Sequence, residues 1–254
     1  MFDGQLPCDP NERLARMRLA RSARIGAVTF HEALGHFGSA QAACAELGTV
    51  SAAQIEREQE RLHRLGGQFI VWGDAAYPAA LAALPDAPPV LAGIGDLGLL
   101  ARPTLAIVGA RDASLAGRRF AAETASALGA AGFVIVSGLA RGIDAAAHEA
   151  ALATGTVAVL AGGIDQVYPP QNAGLHERIA AQGLLLAESP LGAPPIARSF
   201  PRRNRIVSGL SAGVVVDRGR RPLGLPDHRP QGRRAGSGGL CRAGLAHGPA
   251  TRGV

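Results

Sequence analysis

Five short apolar runs recur along the second half of this chain: Thr104 to Val108, Phe133 to Val136, Thr156 to Leu160, Leu184 to Ala187 and Gly213 to Val216. The segments between them have helical length and character, several of them rich in alanine. A strand that is apolar at every position, rather than at alternate ones, is buried on both faces; such strands separated by helices close as a parallel sheet with right-handed crossovers. The expected fold class is therefore α/β, a doubly wound parallel sheet spanning residues 104–216. Ligands of such sheets sit beyond the carboxyl ends of the strands, so the loops there are the places to look for function.

The first part of the chain is different. From Asn11 to Leu65 apolar residues such as Leu14, Met17 and Leu19 fall at near-helical spacing, and Gly26, Gly35, Gly38 and Gly48 punctuate the pattern. Residues 1–66 read as a small all-helical domain, SAM-like or helix-hairpin-helix-like. With eight arginines against nine acids over residues 1–75, it carries no electrostatic footprint of a nucleic-acid binder and reads as structural or protein-contacting. Residues 67–103, with a strand at Gln68 to Trp72 and a proline-rich stretch from Tyr77-Pro78 to Pro88-Pro89, read as a connector between the two domains.

Three loops follow the first three strands of the sheet: Gly109-Ala110-Arg111, Ser137-Gly138-Leu139-Ala140-Arg141-Gly142-Ile143-Asp144, and Gly162-Gly163-Ile164-Asp165-Gln166-Val167-Tyr168-Pro169. Glycines let backbone N–H groups approach an anion, and a following helix N-terminus adds partial positive charge, so the three together suggest a phosphate-binding shelf. Four of the ten arginines in residues 76–216 lie between Arg198 and Arg205. The segment Phe200-Pro201-Arg202-Arg203-Asn204-Arg205 would stand on the same sheet edge, its guanidinium forks suited to phosphates and Phe200 to stacking on a base.

Several chemistries are excluded. All 26 basic residues are arginine, so there is no lysine for a Walker P-loop or a Schiff base. A nicotinamide-dinucleotide site would require G-x-G-x-x-G after the first strand, which is absent. Gly209 to Gly213 matches G-x-S-x-G, but in the order helix then strand, so Ser211 is structural. His148 lies inside a helix without convergent acid and nucleophile, and His31 and His36 lack metal-ligand spacing. Cys8, Cys44 and Cys241 stand far apart, which suggests neither a disulfide framework nor a zinc cage and points to a reducing compartment. Met1 to Pro10 is acidic and carries proline, without the basic start and apolar h-region expected of a signal peptide, and no apolar run approaches the roughly 20 residues of a membrane helix. A cytoplasmic protein without metal or cofactor is expected.

Taken together, the motifs Val108-Gly-Ala-Arg111, Ser137 to Asp144 leading into Ala147-His148, Gly163 to Pro169 with Asn172, and Phe200 to Arg205 leading into Ser208 to Ser211 resemble those of the DNA-processing protein A family (DprA/Smf). The similarity covers roughly residues 10–216 and departs at Ala110, where the family usually carries serine. The resemblance implies an extended Rossmann-like domain and a non-catalytic protein of DNA uptake and natural transformation. Such a protein binds single-stranded DNA, protects it and loads the RecA recombinase onto it, commonly as a homodimer. Carried over residue by residue, Arg111 would clamp a backbone phosphate. Gly109, Ser137, Gly138, Arg141, Gly142 and Gly163 would form the loop contacts, and Phe200, Arg202, Arg203, Asn204 and Arg205 would line the path of the strand. Two other classes share parts of the pattern. A Rossmannoid nucleotide phosphoribohydrolase would need P-G-G-x-G-T-x-x-E with its glutamate, and Gly162-Gly163 leads to Asp165 without it. The third reading is a binder of small phosphate ligands.

The formal charge of +6 belongs to the end of the chain. Residues 217–254 hold eight arginines and two acids, leaving 18 basic and 18 acidic residues before them. Nine glycines and four prolines in that span leave too few apolar positions to offset ordering entropy, so no fixed structure is expected there. The span also lacks the family's segment S-G-S-L-I-T-A-R. Codons permitted for Arg218 to Pro230, read one nucleotide later, do allow E-A-A-x-x-S-G-S-L-I-T-A-R, which suggests a frameshifted tail and a sheet without its closing elements.

Overall fold

The computed structural model describes residues 9–217 and the pair 240–241. The helical unit starts and stops where its side chains dictate. Helix α1 (Pro10–Arg21) is capped by Asp9, whose carboxylate accepts the Glu12 N–H at 3.2 Å, with Pro10 at the first helical position. Helix α2 (Ala27–Phe37) ends at Gly38 with a left-handed φ of 77°, while Gly35 lies inside it rather than at a turn. Helix α3 (Ala40–Glu46) is capped by Ser39, and α4 (Ala52–Arg64) by a reciprocal Ser51/Gln54 capping box.

Helices α1 to α3 share a core around Leu19, Phe30 and Ala33. Met17, Ile55 and Leu62 do not join it; they pack with Phe69 and Leu185 of the sheet and with Ile179 of a helix that covers it. The helical unit is therefore seated on the α/β body by its own apolar side chains. Arg13 reinforces this seat, donating to Asp74 at 3.1 Å and to the carbonyl of Phe69 at 2.8 Å.

The segment 67–103 is not a linker. Strand β1 (Gly67–Val71), a short helix α5 (Ala79–Ala82) and strand β2 (Val90–Gly95) are followed by strand β3 (Thr104–Gly109), and β2 pairs antiparallel with both β1 and β6 (Leu184–Ala187). The continuous run Val90 to Ala92 is fully buried, and an apolar strand of that kind needs partners on both sides for its backbone groups. The prolines only shape the bend before it, where Tyr77 donates to the carbonyl of Pro88 at 2.8 Å.

The remaining elements are α6 (Leu115–Ala130), β4 (Val134–Ser137), α7 (Ile143–Ala151), β5 (Thr156–Leu160), α8 (Ala173–Gln182), α9 (Ser199–Leu210), β7 (Val214–Asp217) and the two-residue β8 (Leu240–Cys241). The sheet runs β1-β2-β6-β5-β4-β3-β7-β8, parallel from β6 to β7 and antiparallel at both ends. This is the expected extended, doubly wound architecture, and its two faces follow from strand alternation. Val134 and Val136, Val157 and Val159, Leu184 and Leu186 face α5 and α9, while Ile135 faces α6 and α7, and Leu185 faces α4 and α8. Strand β3 has β4 on one side and β7 on the other, so the strand order reverses at β3, where a crevice opens. Of the span expected to lack fixed structure, Asp217 ends β7 and Leu240–Cys241 pairs with Val214 and Val215; the rest lies outside the described residues.

Candidate nucleic-acid interface

The loops after β3, β4 and β5 and the first turn of α9 enclose a cleft of about 280 Å³, lined by Arg111, Gly138, Arg141, Tyr168, Phe200 and Arg203 among others. A wider hollow adjoins it along α9 and β7, where Gly109, Asn204 and Arg205 stand. The sequence motifs are thus brought to one edge of the sheet, although their members play different parts.

Arg203 is only 6% exposed. Its Nη1 donates to the carbonyls of Gly138 at 2.5 Å and Val159 at 2.8 Å, and its Nε to Asn204 Oδ1 at 3.0 Å. Its guanidinium is a structural brace beneath the loops rather than part of a strand's path, because α9 turns this position towards the sheet while Arg202 points away. Arg205 is also committed inward, donating to the carboxylate of Glu188 and to the carbonyl of Asp86. Exposed guanidinium groups remain at Arg111, Arg141 and Arg202. Arg141 has Asp112 at 3.6 Å and Arg202 has Glu188 at 3.9 Å, long pairs that leave most donors open.

The glycines also depart from expectation. Asp144, 4% exposed, accepts the N–H groups of Gly109 at 3.3 Å, Gly138 at 3.2 Å and Ala140 at 3.3 Å. The chain's own carboxylate therefore fills the nest that a phosphate was expected to occupy. Burial pushes the Asp144 carboxyl above its ordinary range, opposed by Arg203 and by these N–H donors. Burial likewise pulls the Arg203 guanidinium down, with Asp144 opposing it. Gly163 donates its N–H to the carbonyl of Ala193 at 2.8 Å and is buried. Ser137 is fully buried, its Oγ donating to the carbonyl of Ile107 at 2.5 Å. These residues shape the loops from within.

Gly142 is required by the backbone. It has φ of 79°, and a Cβ there would lie 2.3 Å from the carbonyl oxygen of Ala110. Leu139 takes φ of 56° without being glycine, and Asn172 Nδ2 holds it by donating to the carbonyls of Leu139 at 3.0 Å and Ala140 at 3.2 Å. The floor of the cleft is thereby fixed before any ligand arrives.

At its mouth, the Arg111 guanidinium lies 5.2 Å from the centroid of the Phe200 ring, and Tyr168 meets the same ring edge-on at 5.8 Å. Cation, aromatic faces and preformed floor suit a flat, anionic ligand. The sequence motifs contained Tyr168 and Asn172 without assigning either a part; the edge-on ring contact and the loop brace depend on long-range packing. Among the described residues no group of His, Cys, Asp and Glu is placed to hold a metal ion, and no helix is long and apolar enough to cross a membrane.

Residues 68–222 match the family model of DNA recombination-mediator protein A, and residues 10–64 that of the DprA-like N-terminal HHH domain. The chain belongs to the DNA recombination-mediator protein A family. The protein Smf of Synechocystis is 46% identical over 157 residues, 59% of this chain and 39% of that protein. The X-ray structure of DNA processing protein A (DprA) from Streptococcus pneumoniae superposes with a TM-score of 0.69 at 29% identity, covering 82% of this chain and 77% of that one. A DNA processing protein A structure from Helicobacter pylori, described for its single-stranded DNA binding mode, gives 0.54 at 36% identity over 59% of this chain and 68% of that one. This chain spans about half, or less, of the length of the curated relatives it matches.

Proposed function

We propose that this member of the DNA recombination-mediator protein A family binds single-stranded DNA in the cleft at the carboxyl edge of its sheet. It does so without catalysing a reaction, protecting incoming DNA in the cytoplasm during transformation and passing it to the RecA recombinase. A homodimer would present two such clefts. The observation that carries the reading is the stacked pair Arg111 and Phe200 at the cleft mouth. A guanidinium on an aromatic ring offers a phosphate donor and a base-stacking face within one nucleotide's reach, an arrangement a duplex, with its bases already stacked, cannot use. The relative from Helicobacter pylori, which is described as binding single-stranded DNA, supports the same class of ligand.

Fluorescence anisotropy with a labelled single strand of about twenty nucleotides, the matching duplex and a mononucleotide tests this. Tightest binding is expected for the single strand, with steep salt dependence. Duplex binding of equal or greater affinity would overturn the strand preference, and saturable binding of the mononucleotide alone would favour a small phosphate-ligand site.

A further inference from the structure

A second groove lies between α2 and α9, where the helical unit meets the α/β body. Its walls carry Arg24, Val28, Thr29, Pro201 and Arg202, with Asp86 and the inward-turned Arg205 at its side. Arg24 and Arg202 are exposed. Among the described residues Arg24 makes no ion pair, and Arg202 has only the long approach to Glu188 at 3.9 Å. Asp86 is engaged by Arg205, whose Nε lies 3.5 Å from its carboxylate, so the groove's acid is largely answered while two cations face solvent. Arg24 holds a left-handed φ of 68°, a backbone state that non-glycine residues seldom adopt and that recurs at binding sites. Val28 is 53% exposed beside it, an apolar surface next to cations.

The groove neighbours the cleft across the start of α9. Leu160, Ala161 and Arg203 line both the cleft and a narrow gap beside it, and Arg202 lines both that gap and the groove. Phe200 faces the cleft while its neighbours Pro201 and Arg202 face the groove, so the first turn of α9 is the ridge between them. That turn carries no acidic side chain and no side-chain cap.

We propose that a single strand held in the cleft continues over the first turn of α9 into this groove, where Arg24 and Arg202 receive its phosphates and Val28 a base or sugar. This rests on the proposed function and assigns the helical unit a share of the strand, although its net charge gives no sign of one. What the helical unit contributes is local placement of one arginine, and phosphate attraction depends on that placement rather than on domain charge.

The test compares poly-dT strands of about six and about twenty nucleotides, the shorter filling the cleft and the longer reaching the groove. With the full chain, Arg24→Glu is expected to weaken the longer strand at least about fivefold and leave the shorter one unchanged, while Arg111→Ala weakens both. Arg24 is exposed, so circular dichroism of the variant should match the parent. Equal effects on both lengths, or none on either, overturn the groove while leaving the cleft in place. A parent chain that binds neither strand overturns the cleft and the groove together.

Discussion

Asp144 and Arg203 grip the same residue through its two flanking peptides: the carboxylate accepts the N–H of Gly138 at 3.2 Å, and the guanidinium donates to the carbonyl of Gly138 at 2.5 Å. The two charges are buried and each is the other's main electrostatic counterweight. Removing Arg203 takes this counterweight from the buried carboxylate and the donor from the carbonyls of Gly138 and Val159. Arg203→Ala is therefore expected to cost about 3–5 kcal/mol of folding stability in urea titration. Arg111→Ala, on an exposed side chain, should stay within about 0.5 kcal/mol of the parent. A small loss at Arg203 would mean that its buried bonds are not the brace described here.

Acid sensitivity should come from His148. The ring is fully buried, its Nδ1 bonded to Thr156 Oγ1 at 2.7 Å. The Thr156 hydroxyl donates its own hydrogen to the carbonyl of Ile135 at 2.9 Å, so Nδ1 carries the proton and Nε2 is left without a partner. Burial, helped by the Arg203 charge, pulls the imidazole down to about 3. The folded-state value lies below the unfolded 6.5, so the unfolded chain takes up the proton first and stability falls as pH drops from about 6.5 towards about 3. Asp144, raised by burial, acts in the opposite sense. Between about pH 7 and about pH 5 the parent should lose about 2 kcal/mol more than His148→Gln. Parallel pH profiles of urea midpoints would contradict this.

Strand positions were legible because both-face burial leaves an unbroken apolar run, as in Val134 to Val136. The helical unit was legible through the spacing of Leu14, Met17 and Leu19 and through Gly26 and Gly38, which flank α2; the caps at Asp9 and Ser51 were read only from the structure. Membership of 67–103 in the sheet was not, because pairing of β2 with β6 joins residues far apart in sequence. Within the site, motif spacing located the loops but could not tell Arg202 from Arg203. Adjacent positions on a helix point about 100° apart, and which one faces the sheet depends on how α9 docks. The same limit applies to Asp144, whose three N–H partners come from two different loops.

At the cleft mouth, loss of the ring and loss of the charge should be distinguishable. Phe200→Ala removes a stacking face and should weaken single-strand binding by about 1–3 kcal/mol with little change in salt slope. Arg111→Ala removes a phosphate contact and should lower that slope by about one. Anisotropy titrations across a salt series measure both. Identical salt slopes for Arg111→Ala and the parent would remove Arg111 from the phosphate path.

The stretch after Asp217 gives a prediction about the gene. The bases of Leu223 to Pro230 constrain a frame read one nucleotide later more tightly than degeneracy suggests. Asp227 followed by His228 must yield isoleucine or threonine, and Leu223 to Pro226 permit serine, glycine, serine and leucine in that order, so S-G-S-L-I-T-A-R fits without a gap through Gln231. Further on, Cys241 to Leu245 permit A-V-P-G-S in the same frame. Arginine as the sole basic residue type implies a GC-rich gene, in which stop codons are scarce and an out-of-frame stretch runs on in Arg, Gly, Pro and Ala. Sequencing the DNA from the Asp217 codon onward should therefore show both strings in the later frame. Restoring that frame should raise soluble yield, because Val216, 40% exposed at the end of β7, would gain the segment expected to pack there. A later frame that spells neither string would refute the proposal.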